Sequence, residues 1–246
     1  MQRYVLHSWN DWTHLLTSPN PITDAIIHPD DGAMYFTIGG RKVQSGLYRV
    51  TYVGDESTAP VVQDSTQNVA RTTRRRLEAF HGKKDADAVR VAWPYLSDPD
   101  RFIRFAARTA IEHQPVEEWA GKALTESDPK KQVEAILAPT RVTGVCPQHR
   151  DDSIPPVDTD MRDKLLQAMI KIDLINLDPT SQLTYQRTLQ IILSRFGRPD
   201  EAVINQLVSK IDPLFPSDSA DMNWLLCETL AWLESPTIAQ KAIAMI

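Results

Sequence analysis

Two neighbouring stretches of this sequence carry residue types that could bind a metal or haem. Cys146 and His149 offer one thiol and one imidazole, whereas covalent haem attachment needs two cysteines before its histidine and a closed zinc site needs four ligands. The loop that follows contains carboxylates, whose oxygens are the ligand type that calcium prefers. They are Asp151, Asp152, Asp158 and Asp160. Because this loop lacks the ordered spacing and the glycine of an EF-hand, we interpret it as a solvated connection between helices and the Cys146 motif as structural or incidental.

A basic cluster offers a different chemistry, the binding of phosphate or of an acidic partner. It consists of Arg71, Arg74, Arg75 and Arg76. Glu78 and Asp85 lie nearby in the sequence, and no aromatic residues interleave with the arginines to stack on bases. We interpret the cluster as a solvated face or an interdomain contact.

The histidines and tryptophans indicate no catalytic site. None of the histidines lies with a nucleophile and a carboxylate at a recognisable motif spacing. They are His7, His14, His28, His81, His113 and His149. Four tryptophans fall within helical patterns, where large aromatic side chains usually fill the space between layers. They are Trp93, Trp119, Trp224 and Trp232. We predict core positions for all four, and no catalytic, cofactor-binding or metal-binding residue in this chain.

The composition is typical of a globular protein without a membrane span. Hydrophobic residues make up 42% and charged residues 24% of the 246 positions, and no apolar run approaches the ~18 residues that a span needs. The formal net charge of -5 is mild, which argues against a dedicated nucleic-acid binder. Residues 1–12 lack the pattern of a secretory signal. Cys146 and Cys227 are the only cysteines, and we interpret them as free thiols.

Short β-rich runs alternate with turn clusters in the N-terminal part of the chain. Runs of β-branched and aromatic residues at 22–27, 33–38 and 46–53 predict three strands. Asp31-Gly32 and Gly39-Gly40 suit the tight turns between them. We therefore predict an antiparallel β-meander over residues 1–54. A meander of this size buries too little apolar surface to be stable alone, and similar strands recur in the blades of β-propellers.

The period of the apolar residues changes after a polar stretch. Residues 55–67 lack periodic apolar positions, which predicts a linker. From residue 68 to residue 246 apolar residues recur at helical spacing. Asp98-Pro99, Asp128-Pro129 and Asp178-Pro179 each predict a helix start, because the aspartate accepts free amide hydrogens of the first turn and proline has none to donate.

The segment from Asp98 to Ile111 is the most specific helical unit. It combines a capping aspartate, Arg104 and a small-residue face that lets two helices approach closely. That face consists of Ala106, Ala107 and Ala110. This combination follows the pattern of a HEAT repeat, and similar caps recur about 30 residues apart. We predict a mainly α fold: a degenerate HEAT-like α-solenoid over residues 68–246, preceded by the small antiparallel β-meander.

Two parts of the chain resemble one family of multidomain proteins. Residues 21–54 resemble the last blade of the β-propeller in large, secreted bacterial proteins of the planctomycete and verrucomicrobial kind, a propeller that is similar to sugar or sorbosone dehydrogenases. Residues 74–82 and 92–119 look like the first HEAT-like repeats of that family. In the family a c-type cytochrome domain often follows. The resemblance is detailed over residues 21–142 and only architectural beyond them.

The resemblance implies an exported or periplasmic parent protein that uses pyrroloquinoline quinone and c-type haem. Most of the propeller and a Cys-x-x-Cys-His signature are absent from this sequence, so no family catalytic residue is carried over and no cofactor is expected in this chain. We expect a piece of a larger protein, a non-catalytic scaffold that binds another protein or the adjacent propeller and not nucleic acid. The alternative is one part of a sugar dehydrogenase-like oxidoreductase whose catalytic and haem segments are missing here.

Overall fold

The computed structural model describes residues 2–6, 22–59 and 68–245. The chain divides into two compact units, residues 1–65 and 66–246. The first unit contains a small β-sheet and the second is helical. The predicted mainly α class, with a small antiparallel sheet before the helices, is confirmed. The assignment of residues 1–54, 55–67 and 68–246 to a propeller blade, a linker and HEAT-like repeats stays a prediction.

The sheet contains four strands among the described residues. They are β1 (Gln2–Leu6), β2 (Ile22–Ile27), β3 (Met34–Gly40) and β4 (Val43–Tyr52). Their order across the sheet is β1, β4, β3, β2. The last three strands pair antiparallel, as the meander predicts, whereas β1 runs parallel to β4. Sequence alternation cannot predict this parallel pairing, because the partners are distant in the chain and meet only through a long connection.

The apolar core of the sheet is small and one-sided. Phe36 and Ile38 of β3 and Val50 of β4 are buried, and the Phe36 ring stacks on Tyr48 with 4.9 Å between the ring centroids. Strand β2 is exposed along its length, and Ile26 is 64% exposed. Burial at alternate positions of β3 is the pattern expected where only one face of a sheet is covered.

The helical unit contains ten α-helices in residues 68–245. They are α1 (Val69–Glu78), α2 (Ala88–Ala92), α3 (Arg101–Glu112), α4 (Ala120–Leu124), α5 (Pro129–Thr143), α6 (Thr159–Lys171), α7 (Pro179–Phe196), α8 (Glu201–Ile211), α9 (Ala220–Trp232) and α10 (Ile238–Ile243). Short 3₁₀ turns follow α2 at Trp93–Ser97, precede α4 at Val116–Glu118, and lie at Pro147–His149 and Asp212–Leu214. In the described part of the chain, no helix has both the length and the apolar character needed to cross a membrane.

Aspartate caps start several helices, and two of the three predicted Asp-Pro starts are confirmed. Asp128 and Asp178 accept amide hydrogens from the first turns of α5 and α7, and the proline that follows each is the first helical residue. The start predicted at Asp98 is wrong. Helix α3 begins later, with Asp100 as its cap, because the Asp98 carboxylate accepts the Asp100 amide at 2.8 Å and so forms the turn that precedes the helix.

The helices pack in two rows. Helices α1, α3, α5, α7 and α9 form the odd-numbered row, in which each packs against the next. In the even-numbered row α4 packs against α6 and α6 against α8. Helix α2 packs on α3, the 3₁₀ turn after it packs on both α3 and α5, and α10 packs on α9. Successive helices therefore alternate between the rows.

Two clusters of buried apolar side chains hold the rows together, and α5 contributes to both. The first cluster joins α1 to α5 and includes Trp93 and Trp119. These two tryptophans are 5% and 0% exposed, so their predicted core positions are confirmed. The second cluster joins α5 to α9. It includes Met169, Tyr185 and Phe196. Helix α5 places Ala135 and Ala138 in the first cluster and Val133 and Ile136 in the second.

Buried charges connect α3 to α5. Glu134 of α5 accepts from Arg104 at 3.3 Å and from Arg108 at 2.9 Å, and all three side chains are at most 12% exposed. Arg108 also donates to Glu112 at 3.0 Å, and Glu112 accepts from Arg141 at 3.0 Å. The charges of this network thus alternate in sign along the contacts, in the order Arg104, Glu134, Arg108, Glu112 and Arg141. Alternation matters because a buried charge that loses its partner is strongly destabilising.

Removal of the central carboxylate tests this network. Glu134→Ala is expected to lower the free energy of unfolding by roughly 3 kcal/mol, since it leaves Arg104 and Arg108 buried with fewer anionic partners. Chemical denaturation of the full-length chain measures the loss. The matched control is Glu78→Ala, which breaks the exposed 3.1 Å pair with Arg74 and should cost less than about 1 kcal/mol. Equal losses in the two variants would contradict the role assigned to Glu134.

A glycine after α5 provides a steric test of the contact between α5 and α7. A Cβ on Gly144 would lie 2.6 Å from Cε2 of Phe196 and 2.7 Å from the Thr140 carbonyl oxygen. Gly144→Ala is therefore expected to lower the free energy of unfolding by about 1–3 kcal/mol, measured by thermal unfolding. Gly121→Ala in α4 is the control, because a Cβ there meets no described atom within 4 Å. That change should raise stability by up to about 1 kcal/mol.

Candidate interaction surface

The weak metal and haem candidates do not come together in the structure. Cys146 precedes the 3₁₀ turn that contains His149, Asp158 caps α6, and Asp160 forms an ion pair within α6 at 2.6 Å. Across residues 2–6, 22–59 and 68–245, no three histidine, cysteine, aspartate or glutamate side chains are placed to hold a metal ion. The predictions about quinone and haem concern the parent protein and stay predictions.

Arg74 of the arginine cluster and two of the histidines have local partners. All four arginines lie on the exposed surface of α1, where Arg74 pairs with Glu78 at 3.1 Å. His81 Nε2 lies 2.9 Å from the Ala106 carbonyl oxygen and so links the end of α1 to α3. The ring of His113 lies 6.0 Å from that of His81. Two further histidines, at positions 7 and 14, lie outside the described residues.

Two of the tryptophans predicted as core lie on the surface instead. Trp224 is 69% exposed and Trp232 is 43% exposed, so the core prediction is wrong for both. Both belong to α9, whose core face is formed by Met222, Leu226, Thr229 and Leu230. Because successive residues of a helix are about 100° apart, Trp224, Glu228 and Trp232 share a different stripe. That stripe faces away from the core.

Trp224 forms one wall of a shallow cavity that spans three helices of the odd-numbered row. The cavity has a volume of about 600 Å³, and we call it the Trp224 cavity. Residues of α7, among them Arg187 and Thr188, form its floor, while Leu137 of α5 and Leu225 of α9 contribute to its sides. The cavity therefore depends on the relative positions of α5, α7 and α9.

Hydrogen bonds from Gln190 of α7 fix the axial position of α9 along α7. Its Nε2 donates to the Leu225 carbonyl oxygen and to the Thr229 hydroxyl, both at 3.2 Å. The two helices run in the same direction, since Arg198, just after the end of α7, donates to the Trp232 carbonyl oxygen at the end of α9. Arg187 lies about one turn before Gln190 in α7. Trp224 lies at the same separation before the midpoint between Leu225 and Thr229 in α9, and the rise per residue is equal in the two helices. Arg187 and Trp224 therefore lie at about the same height along the axes of α7 and α9, on the same part of the cavity.

Helix α7 contains two buried polar atoms without a hydrogen-bond partner in the described part of the chain. They are Nε2 of Gln186 and Oγ1 of Thr188, on residues 1% and 0% exposed. By contrast, Thr184 donates to the Thr180 carbonyl oxygen at 2.9 Å. An unsatisfied buried hydroxyl costs about 1–3 kcal/mol. Of the two residues, Thr188 belongs to the set that lines the Trp224 cavity, and because it is 0% exposed its hydroxyl lies beneath the cavity surface.

The charged side chains of the cavity lack ion-pair partners. Arg187 is exposed, and its guanidinium donates to the neutral Oε1 of Gln190 at 2.9 Å. Asp221 lies in the first turn of α9, where the partial positive charge of the helix N-terminus stabilises a carboxylate. Within residues 22–59 and 68–245 neither Arg187 nor Asp221 forms an ion pair. Both charges remain available to a bound molecule.

A second cavity extends the same surface towards the ends of α7 and α9. It has a volume of about 470 Å³ and is lined by Gln190, Ser194, Glu228 and Trp232, among others. The Arg198 guanidinium lies 5.7 Å from the centroid of the Trp232 ring, close enough for a cation–π contact. Trp224 and Trp232 thus lie along one surface of α7 and α9 with Arg187 and Arg198, and the carboxylates of Asp221 and Glu228 line the same surface.

This arrangement suits non-covalent recognition. The residues that line the Trp224 cavity supply apolar side chains, threonine hydroxyls, one guanidinium and one carboxylate, and none of them is a cysteine, histidine or lysine. Tryptophan and arginine are the residue types enriched at the centres of protein interfaces. The surface therefore has the composition of a binding site for a protein segment.

The sequence contains only part of the signal for this surface. Apolar residues occur all around α9, on the stripe of Trp224 as well as on the core face, and a helix with apolar residues on opposite sides has two partners to cover. Arg187 and Thr188 follow no motif. Their role depends on contacts to α5 and α9 that only the folded chain provides.

Comparison of the chain with models of known protein families, with curated proteins and with solved structures found no match.

The cost of the unpaired Thr188 hydroxyl to the free energy of unfolding is measurable. Thr188→Val is expected to raise the free energy of unfolding by about 1 kcal/mol, because a nearly isosteric change removes a buried hydroxyl without a partner. Thr140→Val is the matched control: Thr140 is also 0% exposed, but it donates to the Ile136 carbonyl oxygen at 2.8 Å. Its replacement should lower the free energy of unfolding by about 1 kcal/mol. Urea denaturation measures both, and the reverse order would show that the Thr188 hydroxyl is satisfied in solution.

Proposed function

We propose that this chain is a non-catalytic helical-repeat scaffold that binds a segment of another protein in the Trp224 cavity. The observation that carries the proposal is the exposed indole of Trp224, 69% exposed beside the unpaired Arg187 in a cavity of about 600 Å³. An exposed tryptophan in a concave, mostly apolar site represents apolar surface that a partner removes from water.

The packing of the helices supports the HEAT-like α-solenoid that the sequence predicts. Each helix of the odd-numbered row packs on the next, and successive helices cross between two rows, which is the neighbour pattern of stacked helical pairs. The buried alanines Ala106, Ala107 and Ala110 lie on α3, where small side chains permit close packing. Stacks of this kind present extended surfaces to protein partners.

The origin of the chain from a larger, dehydrogenase-like protein remains a hypothesis that depends on the resemblance of residues 21–142. The antiparallel pairing of β2, β3 and β4 is compatible with a terminal propeller blade, but the parallel pairing of β1 with β4 departs from the antiparallel sheets of propeller blades. Because none of the contacts described above favours the oxidoreductase alternative, we propose no second function.

Selection from a random-peptide phage library on the immobilised full-length chain tests the scaffold function. We expect enriched peptides, and we expect Trp224→Ala to weaken their binding by at least about tenfold, since a buried interface tryptophan is typical of a binding hot spot. Fluorescence anisotropy with the synthesised peptides measures the affinities.

The control for that experiment removes an exposed apolar side chain elsewhere. Ile175 is 89% exposed between α6 and α7 and does not line the cavity, so Ile175→Ala should leave the affinities unchanged. Failure to enrich any peptide, or equal losses in the two variants, would contradict a binding function for the Trp224 cavity.

A further inference from the structure

We infer that the segment bound in the Trp224 cavity carries one acidic side chain next to an apolar one. The carboxylate pairs with Arg187, and the apolar side chain packs against Trp224 and Leu137. This inference rests on the proposed function and adds the chemistry of the partner to it.

Arg187 supplies the charge for this recognition. It is the one cation among the residues that line the cavity, and within the part of the chain that the structure describes its guanidinium has one acceptor, the neutral Oε1 of Gln190 at 2.9 Å. Two other arginines of the odd-numbered row are already engaged: Arg108 binds two carboxylates, and Arg195 binds the carbonyl oxygens of Arg141 and Gly144. Arg187 retains donors in the fork geometry that matches a carboxylate.

The apolar part of the ligand is placed by the walls of the cavity. Trp224 stands at the level of Arg187, and Leu137 lies on the α5 side of the same floor. A side chain between them contacts apolar surface on two sides, while a neighbouring carboxylate reaches the guanidinium. Burial of apolar surface around a charge pair also strengthens that pair, because water is excluded from it.

Two carboxylates limit the ligand to a single acidic group. Asp221 lines the Trp224 cavity on the side of the α9 N-terminus, and Glu228 lines the cavity that follows it. Along α9, Asp221 lies one helical turn or less before Trp224, and Glu228 lies one turn after it. Additional acidic residues in the ligand would therefore face like charges. A run of acidic residues is therefore disfavoured, and one carboxylate opposite Arg187 is favoured.

The composition of the selected peptides and a charge reversal test the inference. We expect peptides enriched on the full-length chain to contain one Asp or Glu beside an aliphatic or aromatic residue. Arg187→Gln should weaken them by about tenfold, the magnitude of a lost hydrogen bond to a charged group. Arg187→Glu should weaken them further and bind versions of the same peptides in which Lys replaces the acid. Restored binding by this swapped pair shows that the variant is folded.

The neutral counterpart of these variants is Asp221→Asn, which should bind the acidic peptides with higher affinity, because it removes a like charge that lines the cavity. Peptides that depend on Trp224 but carry no acid and bind Arg187→Gln equally well would overturn the inference and leave the proposed function standing. Absence of any enriched peptide would overturn both. A concentration-dependent dimer in analytical ultracentrifugation that Trp224→Ala abolishes would also overturn it, because the occupant would then be a second copy of the chain.

Discussion

The packing of α5 against neighbours on every side is the constraint on which the helical unit depends. Every residue from Gln132 to Thr140 is buried, and the helix contacts α3, α4, α6, α7 and the 3₁₀ turn after α2. Its alanines face one apolar cluster and its larger side chains the other. One charged residue, Glu134, lies within this buried run, and its position requires the two arginines of α3. Hydrophobic burial and charge pairing thus fix the same helix in the same place.

The binding surface follows from the position of α5. Leu137 extends from this helix to the Trp224 cavity, and Arg195 of α7 donates to the Arg141 and Gly144 carbonyl oxygens at the α5 C-terminus. Gln190 then links α7 to α9. Because each of these contacts joins helices of the odd-numbered row, the walls of the cavity are set by the fold before a ligand arrives, and little entropy is lost in forming them on binding.

Local patterns in the sequence predict the helices and strands of this structure better than they predict which side chains are buried and which are left without a partner. The alternation in residues 22–53 and the helical period after residue 68 identify the sheet and the helices, and Asp128 and Asp178 mark true helix starts, because these signals arise within a few neighbouring residues. The prediction at Asp98 fails because Asp98 accepts the Asp100 amide in the turn before the helix, and Asp100 caps the helix itself. Helical spacing cannot tell Trp119, which is buried, from Trp224, which is exposed. That difference depends on which helices pack alongside, as do the unpaired state of Arg187 and the parallel pairing of β1.

The axial alignment of α7 and α9 also determines where the chain can gain or lose residues in evolution. Leu137, Arg187 and Trp224 come from three separate helices and meet only while each helix keeps its register. One residue inserted within α9 ahead of Trp224 would turn the indole by about 100° and shift it by about 1.5 Å. An insertion in the exposed stretch 151–153 would leave that register intact. Relatives of this protein should therefore differ in the lengths of their connections while the spacing within α7 and α9 stays constant.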